Sequence, residues 1–266
     1  MIRDITLGQY FPVDSIIHRL DARVKIVSTL IFIIALFVVN TFVGLGVATA
    51  FLLIIIKMSK VPLGFMLKGL KPIFFIVILT FVLNIFMIDG RVLAKWWIFT
   101  VTAEGLRQAI FMAVRLILLI LGSSVLTFTT KPINLTDAIE YLLNPLKKIK
   151  VPVHELAMMM SIALRFIPTL LEETDKIIKA QQARGADFET GNIIKRAKRL
   201  VPILVPLFIG AFRIAQDMAM AMEARCYRGG EGRTKMHALK YVKRDYIAYL
   251  IMWSLLALSI VTRIMF

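Results

Sequence analysis

The chain is dominated by apolar runs, and these limit it to very few folds. A stretch of about 18–20 consecutive apolar residues is long enough to cross a bilayer as a helix. Inside lipid every backbone polar group must be satisfied within the chain, which leaves helices or closed barrels. Val24 to Met58 is apolar almost throughout and too long for one span; Asn40-Thr41 and Gly44 interrupt it. The pattern predicts two tightly connected helices, about 24–39 and 42–57. Each is short for a hydrocarbon core about 30 Å thick, which burial against neighbours or local thinning accommodates. A third span is predicted from Pro72 to about Ile88, a fourth from about Leu106 to Phe128, and a last from about Tyr246 to Phe266. Of the 266 residues 59% are hydrophobic, against about 45–50% in a soluble domain. The fold class is therefore all-α: a polytopic membrane protein with about five transmembrane helices and a module of long amphipathic helices.

The connections carry the remaining information. Residues 1–23 are charged and lack an apolar h-region, so no cleavable signal peptide is expected and the segment reads as cytoplasmic. Lys57, Lys60, Lys68 and Lys71, with no acid among them, mark a cytoplasmic loop. Asp89-Gly90 is a turn. From Arg91 to Ala103, Trp96, Trp97, Phe99 and β-branched residues fit a short hairpin or interfacial loop on the outer face. The formal charge of +16 reads as lysine and arginine retained in cytoplasmic loops, with no zinc or RNA-binding pattern beside it. One cysteine, Cys226, permits no intramolecular disulfide. Three divisions follow: 1–130 with four spans, 131–244 as a cytoplasmic module, and 245–266 as the final span. The N-terminus lies in the cytoplasm and the C-terminus outside, where Arg263 snorkels to the interface.

Residues 131–244 hold 20 Lys or Arg against 11 Asp or Glu. This region is nevertheless helical. Leu156, Met160, Leu164, Ile167, Leu171, Thr174 and Ile178 recur at three- and four-residue steps and draw one apolar stripe. Glu172–Lys176 and Asp175–Lys179 are i,i+4 pairs in the favoured order. The spacing predicts a helix over 153–184 and a second over 192–226, kinked at Pro168, Pro202 and Pro206. A shorter helix is expected to start at Thr136, capped by its hydroxyl, and to stop near Asn144-Pro145. The two long helices form a hairpin or a crossed pair.

Both long helices end on an Ala-Arg pair. Ala183-Arg184-Gly185 closes the first, and Ala224-Arg225-Cys226 closes the second, with the arginines 41 residues apart. Each arginine complements the negative end of its own helix, worth about 0.3–1 kcal/mol, or offers a guanidinium fork to a partner carboxylate. Two matched tips suit a two-fold partner. Gly185 fits a helix C-terminus. If the second tip also needs a left-handed residue, Cys226 is strained there, and Gly229 or Gly230 is expected to take that role.

At these residues the chain resembles the transmembrane T component of energy-coupling factor (ECF) transporters, a class of ABC importers. Ala183-Arg184-Gly185 matches that family's first Ala-Arg-Gly signature, and Ala224-Arg225-Cys226 occupies the second with cysteine in place of glycine. His18-Arg19-Leu20-Asp21-Ala22-Arg23-Val24-Lys25 resembles its N-terminal segment, with Ala22 where proline is usual. The resemblance implies that the two helices are coupling helices. Their ends, residues Ala183, Arg184, Gly185, Ala224, Arg225 and Cys226, would dock on two cytoplasmic ABC ATPase subunits. It also implies an exchangeable membrane S component that binds a vitamin. Met158, Met159, Met160, Met218 and Met222 either fill the core or give that component an adaptable surface.

No catalytic residue is expected. There is no GxxxxGK[ST] sequence, so the resemblance implies that ATP and Mg are bound by the partner ATPases, with no cofactor in this chain. His18, His154 and His237 have no His or Cys at ligand spacing, so no metal site is expected. Arg115, inside the fourth span, either snorkels outward or faces a polar partner. Lys195 to Arg199 set orientation and touch anionic headgroups. Other classes compete less well. A metal-dependent lipid transferase needs an acidic cluster beside a span, and a secondary transporter an inverted repeat; neither pattern is visible. A basic membrane-anchored nucleic-acid- or ribosome-binding protein would not need the apolar stripe, so no nucleic acid is expected as a partner. Within the family, the alternative is the T component of a dedicated cobalt or nickel importer.

Overall fold

The computed structural model describes residues 10–70, 73–96, 99–186, 193–230 and 239–265. The expectations for residues 1–9, Lys71-Pro72, Trp97, the connection 187–192 and His237 lie outside them, as do the side chains of Trp96, Phe99 and Lys195 to Arg199. The chain forms α1 (Ala22–Val38), α2 (Phe42–Ser59), α3 (Leu63–Leu70), α4 (Phe74–Met87), β1 (Val92–Trp96), β2 (Phe99–Thr102), α5 (Ala103–Thr129), α6 (Pro132–Leu143), a 3₁₀ segment (Asn144–Ile149), α7 (Val153–Ala183), α8 (Ile193–Ala224) and α9 (Lys243–Met265). These fall into two compact units. One joins Gly8–Ala138 to Leu239–Phe266; the other includes Ile139–Ala238.

Among the described residues, five helices are long and apolar enough to cross a membrane: α2, α5, α7, Leu200–Ala224 within α8, and α9. The number equals the expected one, but the membership differs. By length, α1 (17 residues) and α4 (14 residues) fall short, about 26 and 21 Å at 1.5 Å per residue. Conversely, α7 and α8 qualify because their apolar residues crowd together. In α7 they precede a charged stretch from Glu172 to Lys179, whereas the sequence reading placed the region in the cytoplasm on the basic excess of residues 131–244 as a whole.

In the first unit α1 packs on α9 and α5, α2 on α5 and α9, and α4 on α5. Phe32, Leu36, Leu52, Leu118, Phe128 and Met252 are among the buried side chains of its core. The α1–α2 break arises where expected. Val39 turns to extended backbone, and Thr41 caps α2 by accepting from the Gly44 N–H at 3.3 Å. Thr102 caps α5 in the same way through Gly105, at 3.0 Å. At Gly122 helices α1 and α5 approach so closely that an added Cβ would stand 2.5 Å from the Phe32 ring. The hairpin expected after Asp89-Gly90 is present: β1 and β2 pair antiparallel, Lys95 opposite Thr100. The lysine-rich segment after α2, read as loop, contains helix α3. Pro62 opens it by accepting from Phe65 N at 2.9 Å, and fully buried Met66 anchors it.

In the second unit α7 and α8 pack side by side. Gln181, near the end of α7, donates to the Pro202 carbonyl near the start of α8, at 3.5 Å. Ile162 and Phe166 share a groove with Ala215 and Met222, so the helices run past each other in opposite directions. Both are continuous through Pro168, Pro202 and Pro206. The preceding helix starts earlier than expected, at Pro132, a residue suited to the first helical position. Thr136 is therefore no cap: its hydroxyl bonds back to the Pro132 carbonyl at 3.1 Å inside α6.

Candidate functional site

The two arginine tips share one backbone design. At the end of α7, Ala186 N–H bonds the Gln181 carbonyl at 3.0 Å and Gly185 N–H bonds the Gln182 carbonyl at 2.9 Å. Gly185 has φ 86°. This pair of bonds around a left-handed residue is the Schellman motif, which satisfies carbonyls that a helix end would leave open. At the end of α8, Tyr227 N–H bonds Met222 at 3.0 Å and Cys226 N–H bonds Glu223 at 2.8 Å. Cys226 has φ 54°. The same two bonds thus close both helices, and both arginines hold the position just before the left-handed residue. The role expected for Gly229 or Gly230 is taken by Cys226 itself. A left-handed non-glycine costs about 1–2 kcal/mol, which the two closing bonds and the helix behind them offset.

Ala183, Arg184, Gly185, Ala224, Arg225 and Cys226 are all exposed. Because Pro202 lies beside Gln181, Arg225 stands at the far end of the pair, about 35 Å along α8 at the standard rise. The loop after the second tip is fixed against the base of α7. A Cβ on Gly230 would collide with the His154 ring, and His154 is held by Glu140 at 2.9 Å.

The methionines divide. Met218 and Met222 line the α7–α8 groove. Met159 and Met160 are exposed, and Met158 is half-buried. Arg115 has found a polar partner, the backbone of the α1–α2 turn. Its Nη2 donates to the Val39 carbonyl and to Asn40 Oδ1 (3.3 Å for the latter), and its guanidinium lies 4.6 Å over the Phe111 ring. It therefore serves the carbonyl end of α1, where a cation is favoured. Among the described residues no cluster of three or more His, Cys, Asp or Glu is placed to hold a metal.

A second constellation surrounds the N-terminal segment. Asp21 caps α1 through the Arg23 N–H at 2.8 Å, and the same carboxylate takes Arg23 Nε at 3.1 Å and Nη2 at 2.8 Å. Both side chains are 3% exposed. The Asp21 N–H donates to Asp245 Oδ1 at 3.1 Å, and Asp245 Oδ2 accepts from Val242 N–H at 2.8 Å, so one carboxylate ties the starts of α1 and α9 together. The Arg23 guanidinium also lies 3.9 Å over the Tyr241 ring. Lys25 donates to the carbonyls of His18 at 3.1 Å and Thr129 at 2.8 Å. His18 Nε2 bonds the Phe11 carbonyl at 3.0 Å, and Ser15 Oγ stands 2.8 Å from Nδ1. This set is consistent with a neutral ring protonated at Nε2, and burial holds its pKa below the ordinary value. Sequence reasoning identified the segment but missed Asp245 and Thr129, which are more than 100 residues away. An acid in the first turn of an apolar helix was the available signal for Asp245.

Ala22 is the first residue of α1 and Asp21 before it is extended, φ −60° and ψ 137°. Those conditions also suit proline, which explains how alanine and proline can exchange there.

Comparison with known proteins bears on the chain as a whole. A family model described as cobalt transport protein (CbiQ) matches residues 14–236. The chain is 61% identical over 266 residues to the energy-coupling factor transporter transmembrane protein EcfT of Clostridium kluyveri, covering 99% of this chain and 98% of that one. It is 59% identical over 247 residues to EcfT of Ruminiclostridium cellulolyticum, covering 93% and 92% of the two chains. With EcfT of Bacillus subtilis the identity is 49% over 246 residues, covering 92% and 93%. A likeness spanning the N-terminal clamp, both arginine tips and the last helix leaves one assignment: the chain is a multi-pass membrane protein of the energy-coupling factor transporter transmembrane (EcfT) family.

Proposed function

We propose that this protein is the non-catalytic coupling subunit of an ECF-type importer, linking two cytoplasmic ABC ATPases to a membrane S component that holds a vitamin. The observation that carries the proposal is the matched pair of tips. Arg184 and Arg225 occupy the same position in two identically bonded helix ends, at opposite ends of one antiparallel pair. A separation of about 35 Å suits two grooves on two subunits better than one groove on a single chain. Each guanidinium supplies a fork for a groove carboxylate. The closing bonds give each arginine a fixed base, so motion of an ATPase is passed into a helix body and not absorbed in a loose end.

ATP and Mg belong to the ATPases in this scheme. The α7–α8 ends and the N-terminus face the cytoplasm, in keeping with the basic excess over residues 131–244. Exposed Met159 and Met160, with Met158 beside them, offer a deformable apolar surface for S components of different sequence. Met218 and Met222 support that surface from the α7–α8 groove. Gly185 and Cys226 differ at otherwise equal ends, which suits two non-identical ATPase grooves. The family model's description names cobalt, so a second reading makes this the T component of a cobalt or nickel importer, with the metal bound by another subunit. The identity of the co-purified membrane partner separates the two.

The test replaces Arg184 and Arg225 with alanine, singly and together. Each single variant is expected to weaken co-purification of the ATPases, and the double variant to abolish it. Assembly of the double variant at the wild-type level would refute the docking role.

A further inference from the structure

Two cavities of opposite character meet at one buried ammonium. The first is an apolar groove of about 220 Å³ between α1, α2, α5 and α9. The second, about 460 Å³, is polar and lies against the N-terminal segment and the end of α5. Leu20, Lys25 and Thr129 line both.

Lys25 is 7% exposed. An ammonium has three N–H donors, and two are spent on the carbonyls of His18 and Thr129. Neither acceptor is charged, and among the described residues no carboxylate forms an ion pair with Lys25. Asp21 and Asp245 act on it without forming an ion pair, and a buried charge whose direct partners are all neutral is costly and marks a site. Thr130 adds a second open group. It is 7% exposed, it lines the polar cavity, and its Oγ1 has no hydrogen-bond partner among the described residues. The same cavity is lined by Arg19 and Lys131, and its one carboxylate, Asp14, is engaged by Arg19 at 2.6 Å. Three cations against one acid favour an anion.

The apolar groove extends from Lys25 to Phe32 along α1, about 10 Å at the standard rise. Its deep end is where the Phe32 ring rests on Gly122. A soluble anion would occupy the polar cavity and leave this groove unfilled. A ligand with a charged head and an apolar tail fills both.

We infer that this junction binds an anionic phospholipid, with its phosphate at Lys25, Thr130 and Lys131 and one acyl chain in the groove. The inference is independent of the docking role of the arginine tips. Position also supports it: the groove is formed where α1 and α9 begin and where α2 and α5 end, so it lies at one face of the bundle, the depth of lipid headgroups.

The full-length chain, purified in mild detergent and stripped of lipid, provides the test. It is titrated with phosphatidylglycerol, with phosphatidylcholine of the same acyl chains, and with inorganic phosphate. Lipid retention is read by native mass spectrometry and Tm by fluorimetry. Phosphatidylglycerol is expected to remain bound and to raise Tm, while the other two leave it unchanged. The pair Thr130→Val with Lys131→Gln is expected to weaken retention about tenfold, and Ser28→Phe, which fills the groove, to do the same. Equal protection by phosphatidylcholine, equal protection by inorganic phosphate, or unchanged retention in the variants would each overturn the inference. If a variant does not fold, the selectivity of the wild-type chain decides the matter alone.

Discussion

Within the apolar windows of α2 and α5, 33% of the residues are buried inside the chain; the corresponding shares are 11% for α7 and 6% for α8. All four helices are long and apolar enough to cross a bilayer, yet they use that surface differently. The bundle turns about a third of it inward in α2 and α5 and locks its helix ends with a buried ionic clamp. The α7–α8 pair turns it outward and exposes its charged tips. A chain that keeps so much apolar helix uncovered is built to be completed by lipid and by other chains. The difference teaches where substitutions act: on stability in the bundle, and on assembly in the pair.

The largest expected effect follows from the clamp. Replacing Asp21, Arg23 or Asp245 with alanine leaves a buried charge or cap without its partner, which costs about 3–5 kcal/mol. Loss of folded protein in detergent is expected. The arginine tips are exposed, and Arg184→Ala or Arg225→Ala should change Tm little while weakening assembly. A drop in Tm at the tips equal to that at the clamp would erase the distinction.

Two glycines sharpen the comparison. Gly122→Ala forces a methyl against Phe32 and should cost about 1–3 kcal/mol. Gly210→Ala, in α8, has open space around it and should stabilise the helix by about 0.5–1 kcal/mol. Opposite shifts in thermal unfolding check this. At the tips, Cys226→Gly should relieve about 1 kcal/mol of left-handed strain, and Gly185→Ala should add as much. Parallel shifts in the two would show that the ends are not closed alike.

The His18 contacts give the bundle a pH dependence. Burial lowers the folded-state pKa of His18, so the unfolded chain takes up its proton first as pH falls. The stabilisation is complete above the ordinary histidine value, near 6.5, and is lost as pH falls below it and through the folded pKa. His18→Gln should flatten the Tm profile across that range. The smallest expected change is Ala22→Pro, which meets a compatible first helical position and should gain about 0.4–1 kcal/mol.

Much of this was legible in the sequence because it is local. The α1–α2 break, the hairpin after Asp89-Gly90, the limits of α7 and α8 and the position of Gly185 follow from turn chemistry and period. Elements that depend on distant chain were not legible. Asp245 and Arg115 act on groups 224 and 76 residues away, and no local pattern encodes those pairings. Helix α3 was hidden by the lysines in and around it, and the left-handed Cys226 by the rule that glycine takes that conformation. The four bonds that close the two tips join residues three or five positions apart, whereas the bond from Asp21 to Asp245 spans 224.

The central claim, that the two tips seat on ATPase subunits, can be read directly from Cys226, the one cysteine in the chain and exposed beside Arg225. A photoactivatable maleimide placed on Cys226 in membranes containing the assembled transporter should crosslink to an ATPase subunit. With Cys226→Gly and Ala186→Cys, the label moved to the other tip should crosslink to the second subunit. Adducts confined to lipid or to the S component, with no ATPase at either tip, would contradict the account.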